Sequence, residues 1–213
     1  MAEPETQSPE HFRLFVAISL PDDVKNQIER AQEELRRAVP GRGVRWTTRE
    51  QLHLTLRFLG NVDAQRVGAL TEALREACAA FAPLQLRAEG IGFFPDARRP
   101  RVVWVGVQDG QGLLPRLQSA VQTATREFTT EEPEDRFTGH VTLGRIKALP
   151  RPEEKALAAA GAGIAARLFG EWTAREVELV RSELSPTGAR HTCQAVAPLT
   201  SSRAPASGQQ SGD

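Results

Sequence analysis

Leu52-His53-Leu54-Thr55-Leu56-Arg57-Phe58-Leu59 alternates polar with apolar residues and stops at Gly60-Asn61, the pattern of a half-buried strand. Side chains of a strand alternate between faces, so His53 and Thr55 project together while Leu54 and Leu56 turn toward a core. The same pattern, His-apolar-Thr-apolar, returns as His140-Val141-Thr142-Leu143. Each copy closes a strand–helix–strand unit. The first unit starts at Arg13-Leu-Phe-Val-Ala-Ile-Ser-Leu20. It passes through a helix opened by Pro21-Asp22-Asp23, with Val24, Ile28, Ala31 and Leu35 at helical spacing, and ends at His53. The second starts at Arg101-Val-Val-Trp-Val-Gly-Val107, passes through the amphipathic segment 113–128 and ends at His140. The repeat is one of layout and not of residues. It predicts an α+β fold of two pseudo-equivalent lobes, each a sheet covered by helices and each carrying one motif.

The remaining segments fit that plan. Gly41 and Gly43 end the first helix, and Val44-Arg45-Trp46 forms a short strand. A second helix is expected over 63–81 and another strand over 84–94. A helix near 153–160 and strands near 167–173, 176–184 and 192–197 complete the fold. The chain has 213 residues, 40% hydrophobic and 25% charged, enough for a real core. Residues 1–10 read as a flexible segment, 11–200 as a single bilobal domain, and the Gly/Pro/Ser-rich stretch 201–213 as a disordered tail.

Charge and composition narrow the chemistry. Lys+Arg and Asp+Glu are both 27, so no overall basic excess supports a long nucleic-acid track, while one or two arginines could still grip a single phosphate. The first residues lack a basic and then apolar leader, and no apolar run approaches the ~18 residues of a membrane span. Cys78 and Cys193 stand far apart without C-x-x-C spacing and read as reduced thiols of a cytoplasmic protein. Tyrosine is absent, so a general acid or base must come from His, Asp, Glu, Lys or Cys.

Two strands offering one imidazole and one hydroxyl each, opposed across a cleft, suit a phosphoryl group. The hydroxyls donate to its non-bridging oxygens while one imidazole accepts a proton and the other delivers one. A single such tetrapeptide is weak evidence, since a strand histidine capped by a nearby threonine is commonplace. Two matching copies are an accident on the order of one in a thousand.

With these motifs, the sequence resembles the two-histidine phosphoesterases, and among them the RNA 2′,3′-cyclic phosphodiesterases of the LigT-like type. The resemblance covers about residues 12–199. It rests on Arg13-Leu-Phe-Val-Ala-Ile, on His53-Leu-Thr-Leu followed by Phe58-Leu-Gly, on Phe137 ahead of His140-Val-Thr-Leu-Gly-Arg, and on Ser182-Glu-Leu-Ser-Pro-Thr-Gly-Ala. It implies a bilobal α+β fold of antiparallel sheet with a central cleft, His53 as proton donor and His140 as proton acceptor. It further implies phosphate binding by Thr55 and Thr142, with Arg145 beside the phosphate. The substrate implied is an RNA end or a small cyclic nucleotide. No cofactor or metal and no membrane partner is expected, and the protein is expected to act as a monomer. Two positions depart from the family pattern. Gly139 replaces the usual proline before the second histidine, where a freer backbone would loosen the start of that strand. His191 replaces a tyrosine and reads as a solvent-exposed strand residue.

The other signals are bland. His11 borders the flexible segment and reads as inert. Trp46, Phe58, Phe93, Trp104 and Trp172 read as core aromatics before base-stacking ones, and Arg98-Arg99-Pro100-Arg101 as a solvated basic turn. No His-x-His, His-Glu-x-x-His or P-loop occurs. The leading expectation is hydrolysis of a terminal 2′,3′-cyclic phosphate to a 2′-phosphomonoester. The rivals are a phosphodiesterase or ligase acting on 2′-5′ linked RNA or another cyclic nucleotide, and a module that binds nucleotide ends without turnover. Acid–base chemistry by the pair predicts a bell-shaped pH profile, with the charged form favoured at His53 and disfavoured at His140.

Overall fold

The structure, a computed structural model, describes residues 10–185 and 188–201. Most of the two terminal segments, and Pro186 and Thr187 of the Ser182–Ala189 stretch, lie outside the described residues. In chain order the elements are β1 (His11–Ser19), α1 (Asp22–Ala38), β2 (Val44–Trp46), β3 (His53–Asp63), α2 (Val67–Ala79), β4 (Leu84–Phe94) and β5 (Val102–Asp109). They continue with α3 (Leu113–Ala124), β6 (His140–Ile146), α4 (Arg151–Gly163), β7 (Leu168–Ala174), β8 (Glu176–Ser185) and β9 (Gly188–Pro198).

All nine strands join one antiparallel sheet in the order β7-β4-β5-β6-β3-β1-β8-β9, with β2 on β6. The two motif strands are neighbours at its centre, and their shared register is Leu54 opposite Val141. Outward from that seam, β3-β1-β8-β9 on one side answers β6-β5-β4-β7 on the other. The expected two lobes are therefore two halves of a single sheet related by a pseudo-twofold axis through the seam. The halves borrow strands: β4 follows the first motif in sequence yet serves the second half, and β8 and β9 return to complete the first.

The alternation read from the sequence decides which face is covered. Leu14, Val16, Ile18, Leu54, Leu56, Val141 and Leu143 enter one continuous core with Leu35, Leu70, Leu117 and Leu157 from the four helices. Side chains of the intervening positions face the other way; Phe15, Ala17 and Val180 form a small separate cluster there. Val24, Ile28, Ala31 and Leu35 are all buried, as the spacing in α1 requires. Asp109 caps α3, accepting from the backbone N–H of Leu113 and Leu114 at 2.8 Å.

The helix expected over 63–81 begins later, because β3 continues through Gly60 to Asp63. Gly60 sits at φ +62°, a left-handed bend that glycine adopts freely. Asp63 then accepts from the Gln65 backbone N–H at 2.9 Å and starts a short 3₁₀ turn before α2.

Candidate active site

Because Leu54 and Val141 face each other and point into the core, His53, Thr55, His140 and Thr142 all emerge on the uncovered face around the seam. Within each half the neighbours match as well. His53 pairs with Ser19 and Thr55 with Ala17 on β1, while His140 pairs with Gly106 and Thr142 with Trp104 on β5. Each imidazole is also held by the carbonyl two residues before it. His140 Nδ1 lies 2.8 Å from the Thr138 oxygen, and His53 is hydrogen-bonded to the Gln51 carbonyl. With Nδ1–H donated, His140 keeps Nε2 as a lone pair, the tautomer a proton acceptor requires.

A β-bulge places Arg145. Strict alternation would put a residue five positions after His140 on the core face. Leu143 is an extra residue between the Thr142–Trp104 and Gly144–Val103 pairs, so the parity flips and Arg145 faces the cleft opposite Val102. The same device recurs in the first half, where Leu56 is extra between the Thr55–Ala17 and Arg57–Val16 pairs. There the flip buries Arg57 and exposes Phe58. Arg57 donates to the carbonyls of Glu132 and Glu131 at 2.9 and 2.7 Å, and to Gln122 Oε1 at 3.0 Å. These bonds tie the segment that leads to His140 onto β3.

The cleft floor is cationic. A cavity of about 290 Å³ is lined by His53, Thr55, Thr142 and Arg145, together with Arg13, Arg45 and His191, and by no carboxylate. His140 is not part of that lining; its ring packs at the far side, 5.0 Å edge-on from Phe94 and 6.1 Å from Trp104. Arg45 on β2 stands directly across the strands from Arg145. Like charges in that position repel, so the pair is built for an anion between them. Arg13 and Arg45 were not singled out from sequence. Arg45 becomes legible only once β2 is known to pair with β6, and Arg13 only once β1 is known to lie beside β3.

Gln51 holds the cleft's outer wall. Its amide oxygen accepts from the Thr48 N–H in a capping box, and its Nε2 donates to the Ala189 carbonyl at 2.7 Å. That contact draws the β8–β9 hairpin over the motif face and brings in His191, whose ring is 5.3 Å from His53 and 5.0 Å from Phe15. His191 lies on a strand, as read, but it belongs to the site and is not a free surface residue. Phe15 stacks on His53 at 4.7 Å, so the three rings form one mutual cluster.

This packing reverses one expectation. Burial first, then the nearby His191 charge, pushes His53 down from 6.5 to about 4, so the free protein disfavours the charged form where it was expected to be favoured. Burial also lowers His191.

Gly139 does not loosen its strand. Its carbonyl accepts from the Val107 N–H at 2.9 Å, and a Cβ built there would fall on the Val107 carbonyl oxygen. The glycine is required by this close approach. Of the aromatics, Trp46 lines the cleft, Phe58 is 45% exposed on the cleft face, and Phe93 and Trp172 pack against the core. The 98–101 turn is exposed apart from Pro100. Among the described residues no group of three or more His, Cys, Asp or Glu side chains is disposed to hold a metal ion, and no helix is long and apolar enough to cross a membrane.

Known proteins share this arrangement. A family described as LigT like Phosphoesterase matches the chain twice, back to back, over residues 18–104 and 105–191. A protein of Archaeoglobus fulgidus named RNA 2′,3′-cyclic phosphodiesterase is 34% identical over 83% of this chain and 94% of its own length. One of the same name from Thermus thermophilus is 34% identical over 85% of this chain and 87% of its own. The crystal structure of the Thermus thermophilus protein TT0787 superposes with a TM-score of 0.73 at 31% identity, covering 90% of this chain and all of that one. That of Escherichia coli LigT complexed with phosphate gives 0.66 at 25% identity, over 90% and 99%.

Proposed function

Since this chain belongs to the LigT-like phosphoesterases, we propose that it is an RNA 2′,3′-cyclic phosphodiesterase whose two motif histidines move the protons. It is a hydrolase that opens a terminal 2′,3′-cyclic phosphate to a 2′-phosphomonoester. The single observation that carries the reading is the Leu54–Val141 register, which sets both histidines and both threonines on one face, where three arginines line the cavity with His53, Thr55 and Thr142.

The ring of the substrate already holds its 3′ oxygen on phosphorus, so the site has to supply in-line water, a base, an acid and charge stabilisation. His140, with Nδ1 committed to Thr138, takes a proton from water at Nε2. Water's oxygen bonds to phosphorus, the bond to O3′ breaks, and His53 protonates the departing oxygen. Thr55 and Thr142 donate to the non-bridging oxygens, and Arg45 and Arg145 balance their charge. His53 is held neutral in the free protein, and the negative charge of the incoming diester offsets that bias, so its proton is stabilised once substrate is in place. Both half-sites come from one chain, which supports action as a monomer. Cys78 and Cys193 are free thiols, as a reducing cytoplasm would leave them.

The test is product analysis with a defined RNA bearing a 2′,3′-cyclic end, using protein dialysed against EDTA. The expected product is a 2′-phosphate with a free 3′-hydroxyl. A 3′-phosphate, turnover confined to 2′-5′ linkages, or activity restored only by one metal ion would overturn the assignment.

A further inference from the structure

Beyond the cleft, a groove of about 800 Å³ opens between the turn at 97–101, the stretch 146–149 and the first half of α4. Its wall carries Arg98, Arg99, Arg101, Lys147, Arg151 and Lys155 against one carboxylate, Glu154. Two of the chain's three lysines are here. Among the described residues none of the six cations makes an ion pair, whereas Arg36, Arg49, Arg66, Arg75, Arg87, Arg167 and Arg181 each hold an acidic partner. Asp96, at the base of the turn, is occupied by the backbone N–H groups of Arg98 and Arg99 at 2.7 and 3.2 Å. Six cations facing a single carboxylate thus line one groove of a chain with zero net charge.

The groove begins where the motif strand ends. Arg145, near the end of β6, lines the cleft, and Lys147, the first residue beyond β6, lines the groove. The Ile146 N–H donates to the Arg101 carbonyl at 2.8 Å, and the Lys147 N–H to the Gly43 carbonyl at 2.8 Å, which fastens the groove's floor to the end of the motif strand. The pseudo-equivalent end of β3 is mixed in charge. Asp63 lies there and Glu131 stands over Gly60, while Glu10 is 4.0 Å from Arg181 and Arg13 pairs with Asn61. A polyanion leaving the cleft therefore meets both signs at that end and an almost wholly cationic wall at the groove.

We propose that this groove binds the phosphodiester backbone of the RNA strand whose terminal phosphate occupies the cleft. The inference rests on the proposed function for the identity of that end. The lining holds no aromatic ring on which a base could stack, so recognition is of backbone charge and is independent of sequence. The even charge balance that argues against a nucleic-acid track in the sequence conceals this polarised distribution.

The test compares wild type with the triple variant Arg99→Ala/Lys147→Ala/Lys155→Ala, all three positions being exposed. Binding of a labelled 12-nucleotide single-stranded RNA ending in a 2′-phosphate is followed by anisotropy across salt concentrations. Turnover of a 2′,3′-cyclic mononucleotide is measured alongside. The variant is expected to bind the 12-mer at least tenfold more weakly at low salt, with the log–log salt slope shallower by about 2. Mononucleotide kcat/KM should stay unchanged. An unchanged slope, or equal losses on mononucleotide and 12-mer, would overturn the groove. So would loss of binding to phosphatidylserine vesicles with RNA binding intact. Absence of wild-type turnover on any cyclic phosphate would instead overturn the proposed function, while the anisotropy comparison would still decide the groove.

Discussion

The two halves of the sheet carry the same motif in the same register and surround it differently. His53 clusters with the stacked ring of Phe15 and the edge of His191, beside the β8–β9 wall that Gln51 fastens. His140 sits against Phe94 and Trp104, with Gly106 beside it in place of Ser19. Even the matching bulges deliver opposite residues: Arg145 in one half and Phe58 in the other. Symmetry fixes where the groups stand, and the neighbours decide what each is for. One repeated scaffold thus gives two imidazoles distinct surroundings in which to serve as the proposed acid and base.

The severest way to break the comparison is to remove each imidazole in turn. His53→Ala and His140→Ala should each lower kcat by ~10²–10⁴-fold with much smaller changes in KM. If the roles differ, pH–rate profiles of the two variants lose opposite limbs. Identical residual profiles would mean that the halves are chemically interchangeable.

The bulge pair gives the next contrast. Arg145→Ala deletes the charged donor proposed for the phosphate and should weaken kcat/KM by roughly 10–100-fold, the worth of a hydrogen bond to a charged group. Phe58→Ala, at the matching position, should leave turnover of a cyclic mononucleotide nearly untouched. Equal losses at the two positions would show that the bulge, and not the residue it delivers, matters.

Gly139→Ala should lower stability by about 1–3 kcal/mol through overpacking against the Val107 carbonyl, as read by chemical denaturation. A neutral result would mean that β5 and β6 can separate there at no cost.

The smallest effect separates the causes acting on His53. Its titration lies below the ordinary value, so between pH 6.5 and about 4 the unfolded chain binds a proton that the folded chain refuses. Stability from this group is present above pH 6.5 and is lost as pH falls through that window. His191→Phe keeps a ring beside His53 and removes the charge. His53 should then move upward but remain below 6.5, because burial is the larger cause. Nuclear magnetic resonance titration of the His53 ring would measure the change, and added inorganic phosphate should move the wild-type ring the same way. No movement in either case would leave burial as the sole cause.

Much of this was legible because a period of two carries its own geometry. The alternation around His53 and His140 gave the strands, the shared face and the two threonines, and apolar spacing gave the buried stripe of α1. The resemblance added Arg145, though alternation alone would have sent that residue into the core. What sequence could not supply was pairing between distant strands: the Leu54–Val141 seam, the Arg45–Arg145 juxtaposition and the hairpin that carries His191. These depend on which strands become neighbours, and no local pattern encodes that. The bulges were hidden too, since one surplus leucine among leucines looks like continued strand.

Strand exchange between the halves has a consequence for how the chain can be assembled. A ribosome that has released residues up to Ile146 has delivered both histidines, both threonines and the central seam. Yet the first half then still lacks β8 and β9, its outer two strands, and the second lacks β7. Neither half can be finished as a unit before the other is begun. The duplication visible in space is not a duplication in time. Among the described residues the last strands in sequence, β8 and β9, close the half that began first.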